Sequence, residues 1–187
     1  MQNVVVHLRM KNILTIFLIS ILAFSCSKND FENTNLYLEF DKEVYQANDN
    51  FELTIRIVPI EAEKTIRLYK NLNNIEISFL SKAEQLGFNQ ELKKRFIEGP
   101  SLSGDDSEYV DEFTISKEKP FEKKLLGIIS ESENEIVIEI SDLNIKNKID
   151  KTYLLDNPNI LIKGNCRTVY GIEGKPFEPT EIKIKVE

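Results

Sequence analysis

The fold is decided by the sequence FELTIRIV at residues 51–58. Apolar side chains occupy every second position of this segment, whereas Glu52, Thr54 and Arg56 fill the positions between them. Successive side chains of a β-strand point to opposite faces, so the alternation predicts a strand with one buried and one exposed face. Val58 is the exception to the pattern.

The same period of two recurs along the rest of the chain. It is present at Leu36/Leu38/Phe40, Ile66/Leu68, Ile75/Ile77/Phe79, Phe113/Ile115, Ile136/Ile138/Ile140 and Ile182/Ile184/Val186. Groups of Asn, Asp, Gly and Pro residues separate these segments, as expected of turns. Strands with one polar and one apolar face are typical of antiparallel sheets, and about seven or eight short strands predict a β-sandwich. The predicted fold class is therefore mostly β.

The order of these segments resembles the immunoglobulin-like domains of bacterial surface proteins. An opening strand is followed by a polar turn at 45–49 that leads into the strong strand at 51–58. The chain ends with an apolar segment at 160–170, a loop rich in Gly and Pro, and a last strand at 181–186. The resemblance covers residues 34–187 and implies an antiparallel, immunoglobulin-like β-sandwich.

One segment departs from the strand pattern. Residues 81–98 favour a helix, because Ser81 and Glu84 have the spacing of a capping box and a Gly-Pro pair follows the segment. Gly87 interrupts it, so a shorter helix at 89–98 fits equally well. This short inserted helix is predicted to be either a partner-facing element or a crossover that caps an open end of the sandwich.

Residues 1–25 have the pattern of a secretory signal peptide. They contain no Asp or Glu, and a run of twelve mostly apolar residues at 13–24 follows the positive charge of Lys11. A spanning helix needs about 20 apolar residues, so the run is too short for one. The sequence AFSC at 23–26 resembles the lipobox of bacterial lipoproteins, which implies cleavage before the cysteine and its acylation with fatty acids such as palmitate. Met10 is the more natural start of translation.

The residues after Cys26 predict where the protein is anchored. Residues 26–33 are assigned to the lipidated cysteine and a short polar tether. Lys28, Asp30 and Glu32 also resemble the tags of lipoproteins in the Bacteroidetes group, which implies an outer-membrane lipoprotein displayed on the cell surface. The alternative for residues 27–33 is a plain linker. The alternatives for the leader are an ordinary signal peptide that leaves the cysteine as a free thiol, and a tail-less membrane anchor.

Composition limits the chemistry of the processed chain. The leader carries the only His and both Met residues of the chain. It also carries two of the 24 basic residues and none of the 31 acidic residues, so its removal changes the formal net charge from −7 to about −9. Without His, the processed chain has no Ser–His or Cys–His nucleophile pair and no His-ligated zinc site. The negative charge disfavours nucleic acid as a partner. No glycine-rich phosphate loop is present.

A group of acidic residues in the middle of the chain is the candidate metal site. It consists of Asp105, Asp106, Glu108, Asp111 and Glu112. Carboxylate oxygens on a flexible loop suit Ca²⁺, but the spacing matches no EF-hand. A solvated acidic loop is the alternative, and no other cofactor is indicated.

Cys166 is a candidate thiol for cross-linking or nucleophilic chemistry in an oxidising compartment. Its place in an alternating segment favours a small buried core residue instead, and no His is available as a base. Antibody-type features are missing, because the chain has no Trp and a lipidated Cys26 leaves Cys166 without an inter-sheet partner.

The leading interpretation is a lipid-anchored binding or interaction module without catalytic activity. Recognition by such a sandwich normally uses loops held by the rigid sheets. The candidate contact loops are 99–112, around Tyr109, and 171–179, around Gly171, Lys175 and Phe177. Expected partners are the membrane, through the lipid, and another envelope or surface protein or a glycan. The alternatives are an accessory structural subunit of an outer-membrane complex and a carboxylate-dependent hydrolase, for which the sequence identifies no acid pair.

Overall fold

The segment at residues 51–58 is a strand that extends from Asn50 to Pro59 in the computed structural model. Phe51, Leu53, Ile55 and Ile57 are at most 2% exposed, whereas Val58 and the polar side chains between them lie on the outer face. Burial on one face confirms the interpretation of the alternating pattern.

The structure describes residues 30–82, 109–169 and 174–186. Several predictions fall outside these residues. They concern the signal peptide, Cys26, the helix at 89–98, and the candidate site residues Asp105, Asp106, Glu108 and Gly171.

The described residues form twelve strands, one short α-helix and a turn of 3₁₀ helix at Ser141–Leu143. The helix is α1 (Lys151–Asp156). The strands are β1 (Thr34–Phe40), β2 (Val44–Gln46), β3 (Asn50–Pro59), β4 (Lys64–Tyr69), β5 (Ile75–Ser81), β6 (Val110–Ile115), β7 (Phe121–Glu131), β8 (Glu135–Ile140), β9 (Ile145–Asp150), β10 (Asn159–Arg167), β11 (Gly174–Pro176) and β12 (Thr180–Lys185). The fold is mostly β, as predicted.

The strands are arranged in three sheets. The first sheet has the order β1-β3-β7-β8-β9 and is antiparallel throughout. In the second sheet, β10 pairs with β5 on one side and with β11 and β12 on the other, and β2 extends the sheet beyond β12. The β2–β12 pair is parallel, in contrast to the other strand pairs of this sheet. The third sheet is the antiparallel β4–β6 pair.

The two large sheets bury their apolar faces against each other. The ring of Phe51, on β3 of the first sheet, lies 6.4 Å from that of Phe79 on β5 and 6.0 Å from that of Tyr45 on β2. A Cβ on Gly127 of β7 would approach the Phe51 ring to 2.0 Å, so this position requires glycine. Aliphatic side chains of both sheets complete one continuous core, which makes the domain a two-layered β-sandwich.

The β4–β6 pair closes the end of the sandwich at which β3 ends and β5 begins. Ile66, Leu68 and Ile115 belong to the same buried core as the large sheets. The Tyr69 hydroxyl donates a hydrogen bond to the carbonyl of Val169, at 2.9 Å, and so ties β4 to the chain beyond β10.

Residues 30–33, which were predicted to belong to the tether, are packed onto this closed end. The Phe31 ring is fully buried. Asp30 accepts hydrogen bonds from Nε and Nη2 of Arg67 at 2.9 and 2.8 Å. The Thr34 hydroxyl donates to the carbonyl of Phe31 at 2.7 Å. The packed domain therefore includes residues 30–33, because an aromatic side chain within the polar segment has a site in the core.

Helix α1 was not predicted. It begins after Asp150, whose carboxylate accepts a hydrogen bond from the Thr152 amide at 2.8 Å, and it buries Leu154. Six residues are too few to show helical periodicity in a sequence. Its position between β9 and β10 differs from that of the helix predicted at 89–98.

Candidate functional site

A groove of about 360 Å³ lies on the outer face of the second sheet, where β10 runs between β5 and β11. We call it the β5–β10 groove. Side chains of both strands and of the segment that follows β11 line it: Glu76, Ser78, Lys163, Gly164, Asn165, Arg167, Pro176, Phe177 and Pro179.

Strand pairing brings the polar residues of the groove together. Ser78 lies opposite Lys163, and Glu76 lies opposite Asn165. Arg167 is the diagonal neighbour of Glu76, and its Nη2 lies 2.6 Å from Oε1 of that carboxylate. The apolar positions between these residues point into the core, so the alternating pattern places the polar set on the outer face.

Two glycines shape the groove. A Cβ on Gly164 would lie 2.8 Å from the carbonyl oxygen of Glu76 and 2.9 Å from the ring of Phe177, so glycine lets that ring pack against β10. The Phe177 amide donates to the Gly164 carbonyl at 2.9 Å. A Cβ on Gly174 would lie 2.5 Å from Nδ2 of Asn165, so glycine leaves room for the amide.

The lining of the groove combines polar side chains with apolar surface, to which Pro176, Phe177 and Pro179 contribute. Its charged side chains are Lys163, Arg167 and Glu76, and Arg167 pairs with Glu76. Neither the Ser78 hydroxyl nor the Asn165 amide has a hydrogen-bond partner within the described part of the chain. The groove therefore offers donors and acceptors to a ligand on a rigid sheet. The sequence did not reveal it, because its residues come together only through the pairing of β5 with β10.

The described residues of the predicted contact loop at 171–179 lie in different environments. Phe177 is a core residue and forms a wall of the groove. The Lys175 ammonium donates to the carbonyl of Thr34 and so joins β11 to β1. Tyr109, from the other predicted loop, is exposed beside the first residue of β6.

Of the acidic residues proposed to bind Ca²⁺, the structure describes Asp111 and Glu112. They are consecutive exposed residues of β6, so their side chains point to opposite faces of the strand. Among residues 30–82, 109–169 and 174–186, no group of three or more His, Cys, Asp and Glu side chains is placed to hold a metal ion.

Cys166 is fully buried on the core face of β10, as its alternating segment predicted. Burial, with a smaller contribution from the negative charge of Asp30, raises the pKa of the Cys166 thiol. Nδ2 of Asn74 lies 3.8 Å from its sulfur. A buried, protonated thiol is a packing residue and not a nucleophile.

A second, acidic cleft of about 500 Å³ lies at the closed end of the sandwich. Asp30, Glu32, Glu61 and Glu63 line it together with Lys64. The Asp30 carboxylate is paired with Arg67, and the Lys64 ammonium donates to the carbonyl of Glu32. These contacts join the N-terminal segment to the start of β4, which gives the cleft a structural role.

No family model, curated protein or solved structure matches this chain. Within the described residues, no helix combines the length and the hydrophobicity needed to cross a bilayer.

Proposed function

We propose that the processed chain is a lipid-anchored binding module of the outer membrane or the cell surface, without catalytic activity of its own. The observation that carries this proposal is the β5–β10 groove, in which polar side chains are held on a rigid two-sheet scaffold. Its volume of about 360 Å³ falls in the range of small-ligand sites, roughly 300–1,000 Å³.

The proposed location rests on Cys26 and on the place where the packed domain starts. Three residues, 27–29, lie between Cys26 and Asp30, which is already paired with Arg67 on the domain. Acyl chains on Cys26 would hold this end of the sandwich close to a membrane, since several chains together give durable anchoring.

We assign the domain to the immunoglobulin-like sandwiches. The assignment is supported by two predominantly antiparallel sheets that share one core of inward-facing side chains. A buried Cys166 without a disulfide and the lack of Trp distinguish it from antibody domains.

Metabolic labelling with an alkyne analogue of palmitate tests the anchor. We expect label on the wild-type protein, loss of label in Cys26→Ala, and full label in the matched control Cys166→Ala. An unlabelled wild-type protein would remove the anchor and with it the proposed location.

Proteolysis of intact cells and cross-linking in native membranes test the display and the role of the domain. We expect protease added outside the cells to digest the domain, and cross-linking to capture exchangeable partners. Full protection from protease would contradict display on the surface. A fixed stoichiometric complex would favour the accessory subunit over the binding module.

A further inference from the structure

We infer that the outer face of the first sheet binds the same face of a second copy of this chain, so that the protein forms a symmetric dimer. The contact is centred on β7, on the opposite side of the sandwich from the β5–β10 groove. The inference goes beyond the proposed function, because it requires neither the groove nor the acyl anchor.

An exposed apolar patch lies on the outer face of β7, the central strand of the first sheet. Leu126 and Ile128 occupy consecutive outward positions of this strand and are 73% and 43% exposed. Half-buried Val137 of β8 is the diagonal neighbour of Ile128, because Ile128 lies directly opposite Glu139. We call Leu126, Ile128 and Val137 the β7 patch. Covering it with a second apolar surface removes these side chains from water.

Ion pairs surround the β7 patch and leave the charges of this face nearly balanced. Arginine and lysine side chains pair with glutamates of the same or a neighbouring strand: Arg56 with Glu39 and Glu122, Lys124 with Glu52, Lys146 with Glu139, and Lys148 with Glu135. The paired charges sum to −1, whereas the whole chain has a net charge of −7. An identical face therefore meets little repulsion between like charges, which favours a second copy over a strongly charged partner.

The two edge strands of this sheet carry opposite charges on the outer face. β1 presents Glu39, and β9 presents Lys146 and Lys148, whereas Asp150 at the end of β9 caps α1. A twofold axis along β7 places β1 of one copy opposite β9 of the other, because the sheet order is β1-β3-β7-β8-β9. The acidic edge of each copy then faces the basic edge of its partner. Both lysines are more than half exposed, so water screens their pairs within the chain and leaves them able to interact across the contact.

The face is large enough for a dimer. Five strands at a spacing of about 4.8 Å and the ten residues of β3 give it dimensions of roughly 20 Å by 30 Å, or about 600 Å². Each partner of a specific interface buries roughly 600–1,000 Å². A twofold axis along the strands also points the closed ends of both copies in the same direction, so two copies anchored in one membrane can form the contact.

Sedimentation equilibrium of residues 26–187 tests the inference, with Cys26→Ala to prevent acylation. We expect this chain to be mostly dimeric at about 100 μM, because interfaces of standard size have dissociation constants that are micromolar or tighter. A monomer at this concentration would overturn the inference. So would an open series of larger species, because a contact between identical faces closes at two copies.

Leu126→Glu tests the position of the contact. A twofold axis along β7 brings the two new carboxylates close together, so we expect the dissociation constant of the dimer to rise at least about tenfold. Leu155→Glu is the matched control and should leave the dimer unchanged, because Leu155 is 65% exposed on α1, outside the sheet. Both variants should keep the melting temperature of the wild type, since both side chains face solvent. Equal dissociation of the two variants would contradict a contact through the β7 patch.

Cross-linking in native membranes tests the contact in the acylated protein. A short bis-maleimide should join two copies of Ile128→Cys, because the axis passes beside this position, whereas Leu155→Cys should stay mostly uncross-linked. Cys166 does not react, because it is buried and its thiol pKa is raised. Equal cross-linking of the two variants would overturn the inference. Failure of the proposed anchor would appear separately, as a missing acyl label on a chain that still forms dimers.

Discussion

At the residue scale, the ion pair between Asp30 and Arg67 holds the first residues of the packed domain in place. The Asp30 side chain is 8% exposed and the Arg67 side chain 31%, so the carboxylate is shielded while the guanidinium keeps part of its hydration. Asp30→Asn preserves the shape but removes the charge that faces Arg67. We expect the free energy of unfolding, measured by urea denaturation, to fall by about 1–3 kcal/mol.

The control for this variant is Glu135→Gln, which breaks the pair between Glu135 and Lys148 on the outer face of the first sheet. These side chains are 41% and 58% exposed, and exposed pairs contribute little because water screens them. We expect a change below about 0.5 kcal/mol. Equal losses in the two variants would mean that Asp30 behaves as an ordinary surface charge.

The free energy of unfolding of the domain should depend on pH through Asp41. Its Oδ1 accepts hydrogen bonds from the Glu52 amide and the Tyr45 hydroxyl, both at 2.8 Å. Desolvation acts to raise the pKa of the Asp41 carboxyl, but the hydrogen bonds outweigh it and the pKa is lowered. Folding therefore favours the ionised carboxylate. Its stabilising effect is complete above the pKa of the unfolded chain, about 3.9, and is lost as the pH falls through the lower pKa of Asp41 in the folded protein.

We therefore expect Asp41→Asn to be less stable than the wild type at pH 7, and the difference to shrink when the pH falls below about 4. Urea denaturation of both proteins at pH 7 and pH 3 measures this. A difference of the same size at both pH values would show that the carboxylate charge is irrelevant.

At the scale of elements, helix α1 offers two adjacent leucines with opposite environments. Leu154 is 2% exposed in the core, whereas Leu155 is 65% exposed. We expect Leu154→Ala to lower the free energy of unfolding by about 2–4 kcal/mol through the lost burial and the cavity. Leu155→Ala is the matched control and should change it by less than about 0.5 kcal/mol. Similar effects in both variants, measured by urea denaturation, would contradict the packing of α1.

The elements also show how far the sequence predicts this structure. Alternation is a local signal, and it identified β3, β5 and β8 because each has one consistently apolar face. Strand β7 was missed because Lys123 shares the face of buried Leu125, while Leu126 is 73% exposed on the opposite face. The β5–β10 groove depends on pairing between strands about 85 residues apart, which no local pattern encodes.

At the scale of the whole molecule, residues 30–33 and the β4–β6 pair lie at the same end of the sandwich. Cys26 is four residues before Asp30, so at 3.8 Å per Cα step the chain between the proposed anchor and the packed domain spans at most about 15 Å. The turn between β7 and β8 lies at the other end of the sheet, because Ile128 pairs with Asn50 while Phe121 pairs with Ile57. The ten residues of β3 separate the two ends by about 30 Å.

An acylated protein of this shape should stand on a bilayer with its closed end down. Glu61 lies at the closed end beside Asp30, and Glu133 lies in the distant β7–β8 turn; both are exposed. A fluorophore on Glu61→Cys should be quenched more strongly by headgroup-labelled lipid in proteoliposomes than one on Glu133→Cys. Cys166 does not interfere, because it is buried and its thiol pKa is raised. Equal or reversed quenching would mean that the packed N-terminal segment does not orient the domain, even though acylation holds it at the membrane.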